Sequence, residues 1–87
     1  MFISRNTSHL GGNETVFINT SLDAKDTWAN GIYQNSRFAQ FRWNPRELKV
    51  DLIAKHYEMP KFRKANAKTE DEARAKVDAY LAKAASV

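Results

Sequence analysis

Cations and aromatic rings stand side by side along one stretch of this chain. Arg37-Phe38, Phe41-Arg42-Trp43 and Lys61-Phe62-Arg63-Lys64 each set a ring next to a positive charge. Such pairs have a chemistry: rings stack on nucleobases while Lys and Arg neutralise phosphates. Alternatively, an antiparallel ribbon carrying Arg can read guanine edges in a major groove. Residues 37–68 hold nine of the fourteen Lys and Arg residues against three acids, Glu47, Asp51 and Glu58, a local charge of +6 in a chain of net +4. A one-sided distribution suits an anionic partner, either nucleic acid or the surface of an acidic or nucleic-acid-binding protein. Charge of this size also serves solubility alone.

Other chemistry has little to work with. The two histidines, His9 and His56, are far apart and have no spaced partners, so neither HExxH nor paired Cys/His zinc spacing occurs. There is no Gly-x-Ser-x-Gly, no phosphate-binding loop and no Gly-x-Gly-x-x-Gly. The run Glu70-Asp71-Glu72 is acidic, but it falls where a helix start favours negative charge. A non-enzymatic protein without cofactor or metal is the expectation.

Composition agrees with a small folded domain. With 87 residues the chain is long enough for one core, and 43% apolar residues with ten aromatics can fill it. Cysteine is absent, which removes disulfides, thiolate metal sites and a cysteine nucleophile. Residues 1–12 include Arg5 and lack the apolar run of a secretion signal, and no stretch is apolar enough to span a bilayer. The sequons at Asn6, Asn13 and Asn19 then read as polar turn sequence. A cytoplasmic location and no membrane partner are expected.

The elements that would position the charges can be read from periodicity. Thr69 followed by Glu72 is a capping box, and Ala73, Val77, Tyr80, Leu81 and Ala84 form one apolar stripe at helical spacing. A helix is predicted over about 69–85. The first half reads as strands and turns, with Phe2 to Arg5 and Glu14 to Thr20 flanking Gly11-Gly12-Asn13. Asn30-Gly31 and Asn35-Ser36 mark further turns. Residues 59–68 read as a basic connection or a short edge strand. The whole is expected to be one α+β domain: a small antiparallel sheet of three to five strands packed by one C-terminal α-helix.

Residues 37–57 are the crux. Asn44-Pro45-Arg46-Glu47 could start a helix, or it could be a four-residue hairpin loop. As a helix, Leu48 and Leu52 would part from Val50, Ile53 and Tyr57, whereas as a strand Leu48, Val50, Leu52 and Ala54 share a face. The strand is therefore favoured, pairing Trp43 with Leu48, Phe41 with Val50 and Ala39 with Leu52. Phe38, Arg42, Lys49 and Lys55 would project from the opposite face, at the cost of setting Arg42 against Lys49.

The start Lys68-Thr69-Glu70-Asp71-Glu72-Ala73 resembles that of several sheet-plus-helix families, among them AP2-like and integrase arm-type DNA-binding domains and HicB-type antitoxins. A capping box followed by alanine accounts for it, and the glycine and strand spacing of those families are absent. No membership follows.

Two functions remain. One is a small binding protein contacting nucleic acid or a nucleoprotein through Arg37, Phe38, Arg42, Lys49, Lys55, Lys61, Arg63 and Lys64. The other is a phage- or mobile-element-type modulator or inhibitor of a host nuclease, polymerase or defence complex. Homodimerisation is compatible with both, since Trp28, Tyr33 and Phe38 offer apolar surface beyond the core.

Overall fold

A computed structural model describes residues 2–9, 13–22 and 37–85. The turn signals at Gly11-Gly12, Asn30-Gly31 and Asn35-Ser36, together with Trp28 and Tyr33, lie outside them. Five strands follow one another: β1 Phe2–Ser8, β2 Thr15–Ser21, β3 Phe38–Asn44, β4 Lys49–Lys55 and β5 Ala65–Asn66. They form one antiparallel sheet in the order β1-β2-β3-β4-β5, so each strand lies beside its neighbours in sequence. The helix α1, Glu70–Ala85, completes the α+β fold expected from the periodicity. Among the described residues no helix is long and apolar enough to cross a membrane.

One face of the sheet is committed to the helix. Val16, Ile18 and Thr20 of β2, Ala39, Phe41 and Trp43 of β3, and Val50 of β4 share it by register. Ala73, Val77 and Leu81 of α1 are buried, and Tyr80 packs beside them on the core. Ala39, Ala67 and Ala73 are fully buried small residues, which lets the backbones approach closely. The buried Thr20 hydroxyl donates to the Ala39 carbonyl at 2.9 Å, so burial leaves no donor unsatisfied there.

Phe41 lies at the centre without exposed surface. Phe62 meets it edge-on at 5.1 Å between ring centroids, Tyr80 meets it at 6.1 Å, and Phe62 and Tyr80 are themselves 5.1 Å apart. Edge-to-face contacts of this kind add about 0.5–1.5 kcal/mol each to area burial. Through Phe62 the connection between β4 and β5 is drawn onto the helix side. Trp43 belongs to the same core, and its indole N–H donates to the Ala67 carbonyl at 2.8 Å.

The capping box forms with one difference. The Thr69 hydroxyl accepts the Glu72 N–H at 3.1 Å, but the Glu72 carboxylate reaches back to the Lys68 N–H, at 3.3 Å, not to that of Thr69. Arg5 of β1 grips Glu70 with two bonds of 2.7 and 2.8 Å, tying the far edge of the sheet to the helix start.

Residues 49–55 are a strand, as the periodicity argued, but the register is not the expected one. Trp43 pairs with Val50 and Phe41 with Leu52, two residues along from the expected partners, and Ala39 pairs with Lys55. The turn chemistry is the reason. Asn44 pairs with Lys49, and its side-chain oxygen accepts the N–H groups of Arg46 and Glu47 at 2.9 and 3.2 Å. A Leu48 N–H to Asn44 carbonyl bond of 2.8 Å closes one helical turn. Leu48 ends it at φ 55°. Arg42 consequently faces Asp51, not Lys49, so the expected like-charge pair is replaced by an opposite one.

A bulge adds a second correction. Phe41 pairs with Leu52 and Gln40 with Ala54, which leaves Ile53 unmatched. Beyond it the faces exchange: Ala54 shares the side of Gln40, and Lys55 shares the side of Ala39. Lys55 therefore does not join Arg42 and Lys49 on the outer face, as the unbroken alternation had implied.

Leu48 is a branched residue in the left-handed region and is 41% exposed, so it has little packing to lose. Leu48→Gly should leave stability unchanged or raise it by up to about 1 kcal/mol, and Leu48→Val should lower it by about 1–2 kcal/mol. Urea unfolding checks this, and equal losses in both variants would contradict it.

Tyr80 is half-buried, its hydroxyl donates to the Pro60 carbonyl, and burial raises its pKa above the ordinary 10.0. At pH below 10.0 folded and unfolded chains both keep the proton, so the contribution is complete. Above that value the unfolded chain ionises first, and stability falls as pH rises toward the folded pKa. Tyr80→Phe should flatten the alkaline arm of a stability–pH profile measured by urea unfolding.

Candidate functional site

The face turned away from α1 is built from the other half of each alternation. On it lie Ser4 and Asn6 of β1, Phe17 and Asn19 of β2, Gln40 and Arg42 of β3, and Lys49 and Asp51 of β4. Two zones can be told apart.

The first is a polar network. Asn19 is 9% exposed, and its side-chain amide donates to the Ser4 hydroxyl at 3.0 Å and to the Asn6 carbonyl oxygen at 2.9 Å. Its own carbonyl oxygen accepts the Gln40 amide at 2.8 Å. Three strands are thus bridged by side chains as well as by backbone, and Asn19 has both amide hydrogens in use.

The second zone is charged. Arg42 is exposed and stands between Phe17 on β2 and Asp51 on β4, each directly across from it. Asp51 accepts the neighbouring Leu52 N–H at 2.9 Å. Lys49, also exposed, lies two residues along β4, opposite Asn44. Two cations and one carboxylate leave this corner net positive. An exposed cross-strand pair contributes only about 0–1 kcal/mol, so Arg42 remains available to a stronger anion. Phe17 is half-buried, an aromatic ring on a polar face.

The remaining candidates are distributed elsewhere. Phe38 is on the outer face but half-buried, with its ring 5.1 Å from the His56 imidazole. Lys55 is turned by the bulge to the side of Ala39. Arg37 is exposed and lines an apolar groove on the helix side with Leu22, Asp78 and Leu81. Lys61 and Arg63 are exposed on either side of the core-packed Phe62, while Lys64 lies 3.6 Å from the Glu47 carboxylate. The structure therefore brings Arg42 and Lys49 together, with Lys64 two residues from Asn66, the β5 partner of Lys49, and turns Lys55 away from them.

Sequence reasoning missed Phe17 and the amide network. Thr15-Val16-Phe17-Ile18 has the β-branched and aromatic content of a buried strand, and the Asn residues read as turns. The available signal was the alternation itself: with Val16 and Ile18 inward, Phe17 must face outward.

Among the described residues no group of three or more His, Asp or Glu side chains could hold a metal ion. Comparison with known protein families, with curated proteins and with solved structures finds no match.

The network predicts an asymmetric cost. Asn19→Ala strips partners from Ser4, Asn6 and Gln40 at once and should lower stability by about 1–3 kcal/mol. Lys49→Ala, at an exposed position, should change it by less than about 0.5 kcal/mol. Chemical denaturation of the two variants measures both.

Proposed function

We propose that this protein is a small binding domain that holds nucleic acid against the outer face of its sheet. The observation that carries the reading is the exposed pair Arg42 and Lys49 on the face opposite the helix, beside the half-buried ring of Phe17. Arg42 supplies a planar donor fork and Lys49 a compact charge, the two groups that neutralise phosphate best. The excess charge of residues 37–68 adds a longer-range field. Lys61 and Arg63, exposed on either side of Phe62, contribute to that field and steer a polyanion toward the molecule. Phe38 and Arg37 belong to this reading only as the far margin of β3 and Lys55 as background charge, while Lys64 lies near the β5 partner of Lys49 and is paired with Glu47.

A polyanion on this face should be held by ion release. Fluorescence anisotropy with labelled DNA and RNA should show affinity that falls steeply with salt, the slope reporting the number of phosphates engaged. Arg42→Ala and Lys49→Ala should each reduce that slope by about one. Lys55→Ala, on the other side of the bulge, should leave it nearly unchanged. Absence of binding at low salt, or equal losses from all three variants, would overturn the proposal.

A further inference from the structure

We infer that the nucleic acid this face takes is single-stranded, with Phe17 as the platform for one base. The inference rests on the reading just given and sharpens it. Phe17 is on the solvent side of a central strand, and its cross-strand neighbours are Asn6 and Arg42. Neither neighbour is apolar, so the ring has no apolar partner directly across from it on either strand. A nucleobase face fits such a ring, since base–aromatic stacking is favourable with any base. A duplex hides those faces within its own stack and offers only edges and phosphates.

The polar zone points the same way. Reading base edges in a groove needs free donors and acceptors, and Asn19 has its amide hydrogens and its carbonyl oxygen already engaged. Gln40 is tied to it through its own amide. What remains for a ligand is a ring and two cations, with the Asp51 carboxylate across from Arg42 leaving the corner net positive. Residues directly across an antiparallel pair have Cβ atoms about 4.5–5.5 Å apart, so Arg42 reaches the phosphate of a base stacked on Phe17. Lys49, one strand over and two residues along, lies roughly 8 Å from Arg42 by strand geometry and meets a following phosphate. A ring flanked by phosphate-binding cations describes a sequence-tolerant single-strand subsite.

Three probes of equal length separate the possibilities: oligothymidylate, the abasic oligomer with the same phosphates, and a duplex. The native protein should bind oligothymidylate at least several-fold more tightly than either of the others. Phe17→Leu keeps an apolar side chain without a π-face, and it should lose roughly ten- to a hundredfold toward oligothymidylate and little toward the abasic probe. Phe17→Trp should retain or strengthen binding. It serves as the deciding variant if circular dichroism shows that Phe17→Leu is unfolded. Duplex binding equal to or tighter than single-strand binding, weakened by Arg42→Ala and untouched at Phe17, would overturn this inference and leave the proposed function standing. Failure to bind any of the three probes would overturn both.

Discussion

The burial of Phe41 decides most of what this molecule can do. Its residue is the midpoint of the middle strand, and it has no exposed surface. The rings of Phe62 and Tyr80 close over it from the connection and the helix. Whichever side of the sheet Phe41 takes is therefore the side that α1 must cover. Strand alternation then sends Gln40 and Arg42 to the other side without further choice. The open, positively charged corner is a consequence of core packing on the opposite face. The same contact dictates the path of residues 59–64, because Phe62 can meet Phe41 only if the connection crosses over the helix side.

The helix and the strand identities were legible because each rests on a local period. Ala73, Val77 and Leu81 recur at helical spacing and are buried as that spacing requires. The register of the β3–β4 hairpin was not legible from the hydrophobic pattern, and the reason is geometric. Pairing Trp43 with Leu48 or with Val50 differs by two residues, so both arrangements place the same side chains on the same faces. Two other signals separate them. One is the Asn44 side chain, which organises Pro45 to Leu48 into a single helical turn. The other is charge: only the observed register sets Arg42 against Asp51. Cross-strand electrostatics was the evidence to weigh.

The bulge at Ile53 belongs to the same lesson. Ile53 and Ala54 are consecutive apolar residues in a strand that otherwise alternates, a small break in period. Slipping one residue there frees the end of β4 from matching β3, and it moves Lys55 out of line with Lys49. Proximity in sequence had made seven cations look like one surface. Phe62 and the bulge divide them, the first by anchoring the connection to the core and the second by exchanging the faces of β4.

Within the outer face, stability and availability have been assigned to different zones. Ser4, Asn6, Asn19 and Gln40 satisfy one another across β1, β2 and β3, where Asn19 is nearly withdrawn from water. Unpaired amides there would be costly, so this zone is closed to outside partners by the same bonds that make it stable. Arg42 and Lys49 lie toward β4, where water reaches both side chains. Charges that stay hydrated in the free protein carry no burial cost, and they lose only side-chain freedom when an anion replaces water. Phe17 stands at the boundary of the two zones, fixed by the strand on one side and flanked by Arg42 on the other. For the proposed ligand, a ring and solvated cations already placed by the strands would spend little entropy on binding. That division is what lets so small a sheet keep its fold while leaving one corner free to act.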